Sequence, residues 1–174
     1  RDMLRTVLRH AGGIRIDHVL GLFRLWWIPR GMPVNQGTYV RYDHDALVGI
    51  LALEAQRAGA VVIGEDLGTV EAWVQDTLKE RGILGTSILW FEKTADNRPL
   101  PPEQWRELTL ASVTTHDLPP SAGYLSLEHV AIREQLGLLT RPVEEERAQE
   151  EASIARVRDA CVARGLLQPG AGID

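Results

Sequence analysis

The sequence has little of several features that mark particular protein classes. Its single cysteine, Cys161, excludes an intrachain disulfide and favours a reducing, cytoplasmic setting. No apolar run approaches the ~20 residues that a membrane-spanning helix needs. The formal net charge is -5 and the sequence pI is about 5.6, which argues against a broad nucleic-acid-binding surface. We therefore expect neither a nucleic acid nor a membrane as a partner.

Signatures of metal and nucleotide chemistry are lacking as well. The sequence contains neither a GxxxxGK[ST] loop nor a GxGxxG turn after a predicted strand. The histidines at 18, 44, 116 and 129 show no metal-ligand spacing with Cys161. The sequence thus predicts no metal site and no phosphate loop of these kinds.

Four apolar stretches of the chain each end in polar, charged residues. The stretches are residues 14–18, 61–66, 87–92 and 113–117. A buried parallel strand is apolar throughout, and a (β/α) barrel places its chemistry at the C-terminal ends of such strands. The ends of the first, second and fourth stretches contain Asp17, Glu65 and Asp117, respectively.

Helical patterns alternate with these stretches. The sequence predicts helices over 1–11, 45–58, 126–136 and 143–164, a further helix that opens at Gly68, and a short one over 19–27. Residues 34–44 are predicted to form a loop, and either Asp43 or Asp45 is predicted to cap the helix that follows. The acidic run of the 143–164 helix is interpreted as a solvated face. Strand–helix–strand alternation favours a parallel sheet with right-handed crossovers, so the three carboxylates should meet at one rim.

The length limits how much of a barrel the chain holds. A complete (β/α)8 barrel takes about 250 residues, and the strand signals here support roughly half of one. We expect an α/β chain that is a piece of a longer enzyme. The alternative is a small self-contained α/β domain.

Two carboxyl groups about 5–5.5 Å apart carry out retaining glycosidic chemistry, one as nucleophile and one as acid and then base. Asp17 is short and follows Arg15, which suits an ionised nucleophile. Glu65 is longer and follows an apolar run, which suits acid/base catalysis. Asp117, beside His116, is placed to bind sugar hydroxyls. The structural alternatives are a helix cap at Asp17, a first-turn acidic pair at Glu65 and Asp66, and a turn at Asp117.

Three motifs carry a resemblance to a known family. They are Arg15-Ile16-Asp17-His18, Gly64-Glu65-Asp66-Leu67-Gly68 and Thr114-Thr115-His116-Asp117-Leu118-Pro119-Pro120, in this order. Together they closely resemble the 4-α-glucanotransferases, also called amylomaltases, of glycoside hydrolase family 77. The resemblance covers most of residues 10–136.

The resemblance implies a retaining transferase that moves a 1,4-α-glucan segment to the 4-hydroxyl of an acceptor glucose or maltooligosaccharide. It implies Asp17 as nucleophile, Glu65 as acid/base and Asp117 as the carboxylate that stabilises the transition state. Arg15 would orient Asp17, and His116 would contact the same sugar. Substrate-binding or supporting roles of lower rank fall to His18 and Asp66.

The implied fold is a (β/α)8 barrel, of which this chain would hold roughly strands 4 to 7. All of residues 1–174 would belong to the catalytic barrel, with 126–174 as a mostly helical extension. The family needs no cofactor and no metal. Tyr39 and Tyr42 are candidates to stack on sugar rings, whereas Trp26 and Trp27 are interpreted as core residues.

Two other functions remain open from the sequence. One is an α-amylase-type hydrolase, because the covalent intermediate is the same for transfer and hydrolysis. The other is a non-catalytic piece that binds glucan or associates with itself. Half a barrel exposes strand edges and apolar surface, so we expect the chain alone to be inactive and to self-associate or bind the rest of the barrel.

Overall fold

The computed structural model describes residues 1–171, which form a mixed α/β structure. Its helices are α1 (Asp2–Leu8), α2 (His44–Ala58), α3 (Ala72–Glu80), α4 (Ser121–Leu125), α5 (Glu128–Gln135) and α6 (Val143–Ala163). Its strands are β1 (Gly13–Ile16), β2 (Arg24–Trp27), β3 (Thr38–Arg41), β4 (Val61–Gly64), β5 (Gly85–Ile88) and β6 (Thr109–Ser112).

The chain divides into two compact units, and each is described by itself. The first unit comprises Arg1–Ser87 and Arg106–Leu110, and the second comprises Ile88–Trp105 and the chain from Ala111 onward. The prediction of a single barrel domain over 1–174, with a helical extension from 126, reaches beyond the described residues at 172–174. It stays a prediction.

A parallel strand pair organises the first unit. β1 pairs with β4 in the register Gly13↔Val61 to Ile16↔Gly64. α2 and α3 bury their apolar faces in the same core as β4, through Val48 and Leu51 of α2, Val74 and Leu78 of α3, and Val62 of β4. The sequence pattern predicted this strand–helix–strand arrangement, and the alternation of apolar positions explains it.

Close packing fixes the end of β4. A β-carbon at Gly64 would lie 3.0 Å from both methyl carbons of Val19, a fully buried residue. A larger residue at position 64 would therefore push the turn after β1 away from the end of β4. The strands at 86–91 and 110–115 end earlier than predicted, at Ile88 and Ser112, and β5 and β6 pair with each other.

An antiparallel hairpin stands where the sequence was interpreted as a helix and a loop. Val19–Leu22 is a single 3-10 turn, and β2 then pairs with β3 through Trp26↔Tyr39 and Trp27↔Thr38. The prediction of a helix over 19–27 was wrong, because adjacent tryptophans and leucine suit an extended strand as well as a helix. Trp26 and Trp27 are 44% and 55% exposed, so their interpretation as core residues was also wrong for this chain.

Helix ends follow local capping chemistry. The Asp43 carboxylate accepts a hydrogen bond from the Ala46 backbone N–H at 3.1 Å, so Asp43, one of the two predicted candidates, caps α2. The helix predicted to open at Gly68 begins only at Ala72, since Gly68 adopts φ +90°. The helix predicted over 126–136 is interrupted at Leu127, which has φ 61° and separates α4 from α5.

One glutamate of the α6 charge run is buried, so the prediction of a fully solvated face was wrong there. Glu146 lies within 2.9 Å of an Arg133 nitrogen and 3.0 Å of an Arg141 nitrogen. The two guanidinium groups compensate the charge that burial would otherwise leave unpaired. None of the helices within residues 1–171 is long and apolar enough to cross a membrane.

An exposed ion pair in the second unit predicts how stability responds to acid. Both oxygens of Glu103 accept hydrogen bonds from Arg164, at 2.7 and 2.8 Å, and this pairing lowers the pKa of Glu103 from 4.5 to about 2. A carboxyl with a lowered pKa stabilises the fold above its ordinary pKa, and this contribution disappears as the pH falls from about 4.5 towards 2. We expect Glu103→Gln to reduce the loss of stability between pH 5 and pH 2.

Urea unfolding at a series of pH values checks this expectation, with the equally charged and exposed Glu144→Gln as the control. Salt should weaken the effect, because the pair is exposed to solvent. Identical pH dependence in the two variants would contradict the assignment.

Candidate active site

Asp17 directly follows β1 and is held by its neighbour Arg15. Arg15 Nη1 donates to Asp17 Oδ1 at 2.6 Å, while the Asp17 side chain remains 62% exposed. No side-chain capping bond is formed at the start of the 3-10 turn Val19–Leu22. The structure therefore does not support the alternative interpretation of Asp17 as a helix cap, and it leaves the carboxylate oriented and accessible.

Glu65 occupies the matching position after β4. Ile16 and Gly64 are the last paired residues of β1 and β4. Asp17 and Glu65 therefore each come directly after one member of this pair. The ladder continues through this point, because the Glu65 N–H donates to the Ile16 carbonyl and the Val19 N–H donates to the Glu65 carbonyl, both at 2.9 Å. α3 begins at Ala72, so Glu65 and Asp66 are not a first-turn pair of that helix.

Two backbone amides fix the Glu65 carboxylate. The His18 N–H donates to Oε2 at 2.9 Å and the Leu67 N–H donates to Oε1 at 2.7 Å. A carboxylate has about four lone-pair sites, so each oxygen retains one for a further partner. The half-buried Glu65 is thus held in one orientation and can still accept a substrate hydroxyl.

His18 contributes through its backbone. It adopts φ 48° and ψ 59°, a left-handed conformation that is uncommon for a residue other than glycine. This conformation accompanies the turn of the chain after Asp17 and the N–H···Oε2 bond to Glu65. Strained backbone conformations are concentrated at functional sites. Here the strained residue, His18, directly follows Asp17 and donates its N–H to Glu65, so it connects the two candidate catalytic carboxylates.

Asp66 is buried and paired instead of facing solvent. Its side chain is 1% exposed, and its two oxygens accept bonds from Arg106 at 2.6 and 3.0 Å and from the Thr86 N–H at 3.0 Å. Arg106 also donates to the Thr86 carbonyl at 3.0 Å. This pair fixes the chain immediately after Glu65. Sequence analysis did not identify Arg106, because no local pattern relates it to a residue 40 positions earlier.

His116 and Asp117 lie in the second unit, beyond the end of β6. Both side chains are exposed, and the Thr115 hydroxyl donates to Asp117 Oδ1. The Leu118 N–H donates to the Thr115 carbonyl at 3.3 Å, which closes a turn around them. Asp117 therefore belongs to a turn, as the alternative interpretation held, and its hydrogen bond with Thr115 orients one carboxylate oxygen.

The hairpin carries a cluster of exposed aromatic rings. Tyr39 is 55% exposed, packs edge-to-face on Trp26 at 5.0 Å and stacks beneath the Arg24 guanidinium at 4.1 Å. Tyr42 Oη accepts a bond from Trp27 Nε1 at 2.8 Å. A β-carbon at Gly37 would lie 2.7 Å from the Trp27 carbonyl oxygen, so this glycine permits the close packing around the two indoles. Sequence analysis had placed only the two tyrosines at the site.

Metal chemistry was not expected at this site. Residues 1–171 contain no group of three or more histidine, cysteine, aspartate or glutamate side chains arranged to hold a metal ion.

Comparisons with known proteins match nearly the whole chain. A family model described as 4-alpha-glucanotransferase matches residues 1–166. A curated 4-alpha-glucanotransferase of Mycobacterium tuberculosis is 62% identical over 182 aligned positions, covering 100% of this chain and 25% of the relative. A relative of the same name from Haemophilus influenzae is 39% identical, covering 82% of this chain and 20% of its own length.

Two solved amylomaltase structures superpose on most of this chain. The crystal structure of amylomaltase from Corynebacterium glutamicum superposes with a TM-score of 0.90 at 57% identity, over 97% of this chain and 24% of that one. Amylomaltase from Streptococcus agalactiae in complex with acarbose gives a TM-score of 0.57 at 20% identity, over 84% of this chain and 31% of that one, and supports the fold alone.

The present chain spans about a quarter of the length of the curated relatives that it matches over its full extent. Because the family model covers residues 1–166 and a curated relative 62% identical aligns along the whole sequence, this chain belongs to the 4-alpha-glucanotransferase family, glycoside hydrolase family 77.

Proposed function

We propose that the chain carries the catalytic carboxylates of a retaining 1,4-α-glucan transferase. The observation that carries the proposal is the matched placement of Asp17 and Glu65 after the paired residues Ile16 and Gly64. Neighbouring strands lie about 4.8 Å apart, close to the about 5–5.5 Å that separates the two carboxyl groups of retaining enzymes.

In the proposed reaction, Asp17 attacks the anomeric carbon of the donor glucan, while Glu65 protonates the leaving glycosidic oxygen. A β-linked glycosyl–Asp17 intermediate forms and the shortened glucan leaves. Glu65, now ionised, accepts a proton from the 4-hydroxyl of the acceptor, which attacks the anomeric carbon and releases Asp17. Two inversions at one carbon retain the α configuration.

The other residues serve these two carboxylates. Arg15 holds Asp17 in line through their 2.6 Å bond. Asp117 and His116 bind hydroxyls of the same sugar, and Asp117 favours the distorted ring of the transition state. His18 and Asp66 act as supports, His18 through its backbone bond to Glu65 and Asp66 through Arg106. Tyr39 and Tyr42, with the exposed indoles beside them, form a stacking surface for glucan rings.

The architecture proposed for the chain is part of a (β/α)8 barrel, roughly strands 4 to 7, with residues 126–174 as a helical extension. We further propose a cytoplasmic setting. The exposed apolar side chains, among them Leu108 at 64% and Leu136 at 64%, support self-association or assembly with the remaining barrel strands. A monodisperse monomer in sedimentation would contradict this part of the proposal.

Incubation with maltotriose tests the proposed activity. We expect no reaction from the chain alone, because it represents a quarter of its relatives' length. We expect glucose and a ladder of longer maltooligosaccharides from a full-length family member that carries this segment in place of its own. Asp17→Asn in that protein should abolish the ladder.

The products separate the competing functions. Glucose and maltose with nothing longer would indicate hydrolysis, as in the α-amylase-type alternative. A ladder that survives Asp17→Asn would remove Asp17 from the nucleophile role. No ladder from the full-length protein, despite a folded chain, would contradict transferase activity.

A further inference from the structure

A cluster of arginines surrounds one buried glutamate, and the proposed transferase function does not use it. Glu54 of α2 is 3% exposed; Arg1 Nε and Arg57 Nη1 bind its Oε1 at 2.8 and 2.9 Å, and Arg5 Nε lies 3.6 Å from Oε2. This pairing lowers the pKa of Glu54, chiefly through the hydrogen bond from Arg1, so the glutamate is ionised and the cluster is compact.

The arginines outnumber their carboxylate partner. Arg1, Arg5, Arg9 and Arg57 line one open pocket of about 590 Å³ together with Glu54, Leu8 and Ala58. Four guanidinium groups offer roughly twenty N–H donors, whereas a single carboxylate has about four lone-pair sites. A strong positive field therefore remains in a chain whose formal net charge is -5.

The guanidinium groups are also accessible. The side chains of Arg1, Arg5 and Arg57 are 54%, 52% and 52% exposed, while Glu54 lies beneath them. The buried carboxylate holds the side chains of Arg1, Arg5 and Arg57 close together, and all three of these residues line the pocket. An anion that enters the pocket finds the arginine N–H donors already close together, so the entropic cost of binding it is lower.

The pocket lies away from the proposed catalytic carboxylates. Arg9 and Ala58 come a few residues before β1 and β4, at the N-terminal ends of these parallel strands. Asp17 and Glu65 follow the C-terminal ends of the same strands. A ligand at the arginine cluster would therefore occupy the opposite end of the strand pair.

We propose that this arginine pocket binds a small molecule that bears a phosphate group. Guanidinium forks match the oxygens of a phosphate and bind it by paired, charge-assisted hydrogen bonds. The volume falls within the about 300–1,000 Å³ of small-molecule pockets, which leaves room for an organic group attached to the phosphate. The proposal does not rest on the transferase function, and its test does not require activity.

Titration with inorganic phosphate and, separately, with a hexose phosphate tests the proposal on the 174-residue chain. The arginine Nε–H signals in ¹H–¹⁵N NMR report binding directly, and sodium chloride keeps the ionic strength constant. We expect saturable shifts of the Arg5, Arg9 and Arg57 signals with both probes. Tighter binding of the hexose phosphate would identify a sugar phosphate as the ligand, and equal binding would identify the free ion.

Variants locate the site. Arg57→Gln should raise the half-saturating phosphate concentration about tenfold, the effect of losing one strong charge-assisted contact. Because Arg57 also neutralises buried Glu54, Arg9→Gln is the second variant: it lines the pocket, and no ion pair described for residues 1–171 involves it. Arg30→Gln, which carries the same charge change outside the pocket, should leave binding unaltered.

Either of two results would overturn the proposal. One is a non-saturable response that sodium chloride reproduces. The other is equal weakening of binding by Arg9→Gln and Arg30→Gln, which would reflect net charge alone and not a site.

Discussion

Replacing Arg106 with leucine should lower the free energy of unfolding by about 2–3 kcal/mol. The substitution leaves the Asp66 carboxylate, 1% exposed, with the Thr86 amide but without the two bonds from Arg106. Breaking a buried ion pair from one side costs about 3–5 kcal/mol. We place the effect below that range because the Arg106 side chain is 37% exposed and water partly compensates.

Arg98→Leu is the matched control for this prediction. Arg98 pairs with Asp96 at 2.8 Å, but their side chains are 75% and 62% exposed. An exposed pair of this kind contributes little to stability, because water and salt screen the attraction between its charges. Urea unfolding of both variants gives the comparison, and equal losses would contradict the importance of burial at Asp66.

A second substitution identifies why Arg106→Leu loses stability. Adding Asp66→Asn to Arg106→Leu removes the buried charge, while the asparagine carbonyl can still accept the Thr86 N–H. We therefore expect the double variant to be more stable than Arg106→Leu alone. A double variant that is less stable would show that Arg106 acts through other contacts and not by neutralising Asp66.

The sequence predicted those parts of the structure that depend on local pattern. Apolar runs located β1 and β4, and the polar residue after each run located Asp17 and Glu65. An aspartate before an amphipathic segment located the cap of α2. In each case the residues that cause the feature lie within a few positions of it, so the feature can be predicted from the amino-acid sequence.

The errors arose where distant residues decide the outcome. Leu25, Trp26 and Trp27 suit a helix or a strand equally, and their pairing with β3, more than ten residues later, selects the strand. Glu146 appeared solvated within an acidic run, yet Arg133, 13 residues earlier, helps to bury it. The Asp66–Arg106 pair spans 40 residues, and no local signal marks it.

The roles of Asp17 and Glu65 can be separated by a donor whose leaving group needs no proton. In a full-length family member carrying this segment, Glu65→Ala should lower kcat/KM for maltotriose by about 10²–10⁴-fold, the usual contribution of general acid–base catalysis. With α-maltosyl fluoride, fluoride departs unprotonated, so Glu65→Ala should still form the glycosyl–Asp17 intermediate. Azide, which needs no deprotonation, should then release α-maltosyl azide.

Asp17→Ala should behave differently under the same conditions. It lacks the attacking carboxylate, so neither the fluoride donor nor azide should yield α-maltosyl azide. Azide that takes the place of the lost carboxylate would attack directly and give the inverted β product. Glu80→Ala, which removes an exposed glutamate at the end of α3, serves as the control and should retain activity with maltotriose.

The stereochemistry of the azide product therefore decides between the two roles without reference to rate. Formation of the α product by Asp17→Ala and its absence from Glu65→Ala would reverse the assignments. The side-chain geometry supports the roles proposed here, because Arg15 Nη1 donates to Asp17 Oδ1 at 2.6 Å and orients that carboxylate as the nucleophile. Glu65 accepts one backbone N–H at each oxygen, so each oxygen keeps a lone pair that can contact the glycosidic oxygen or the acceptor hydroxyl.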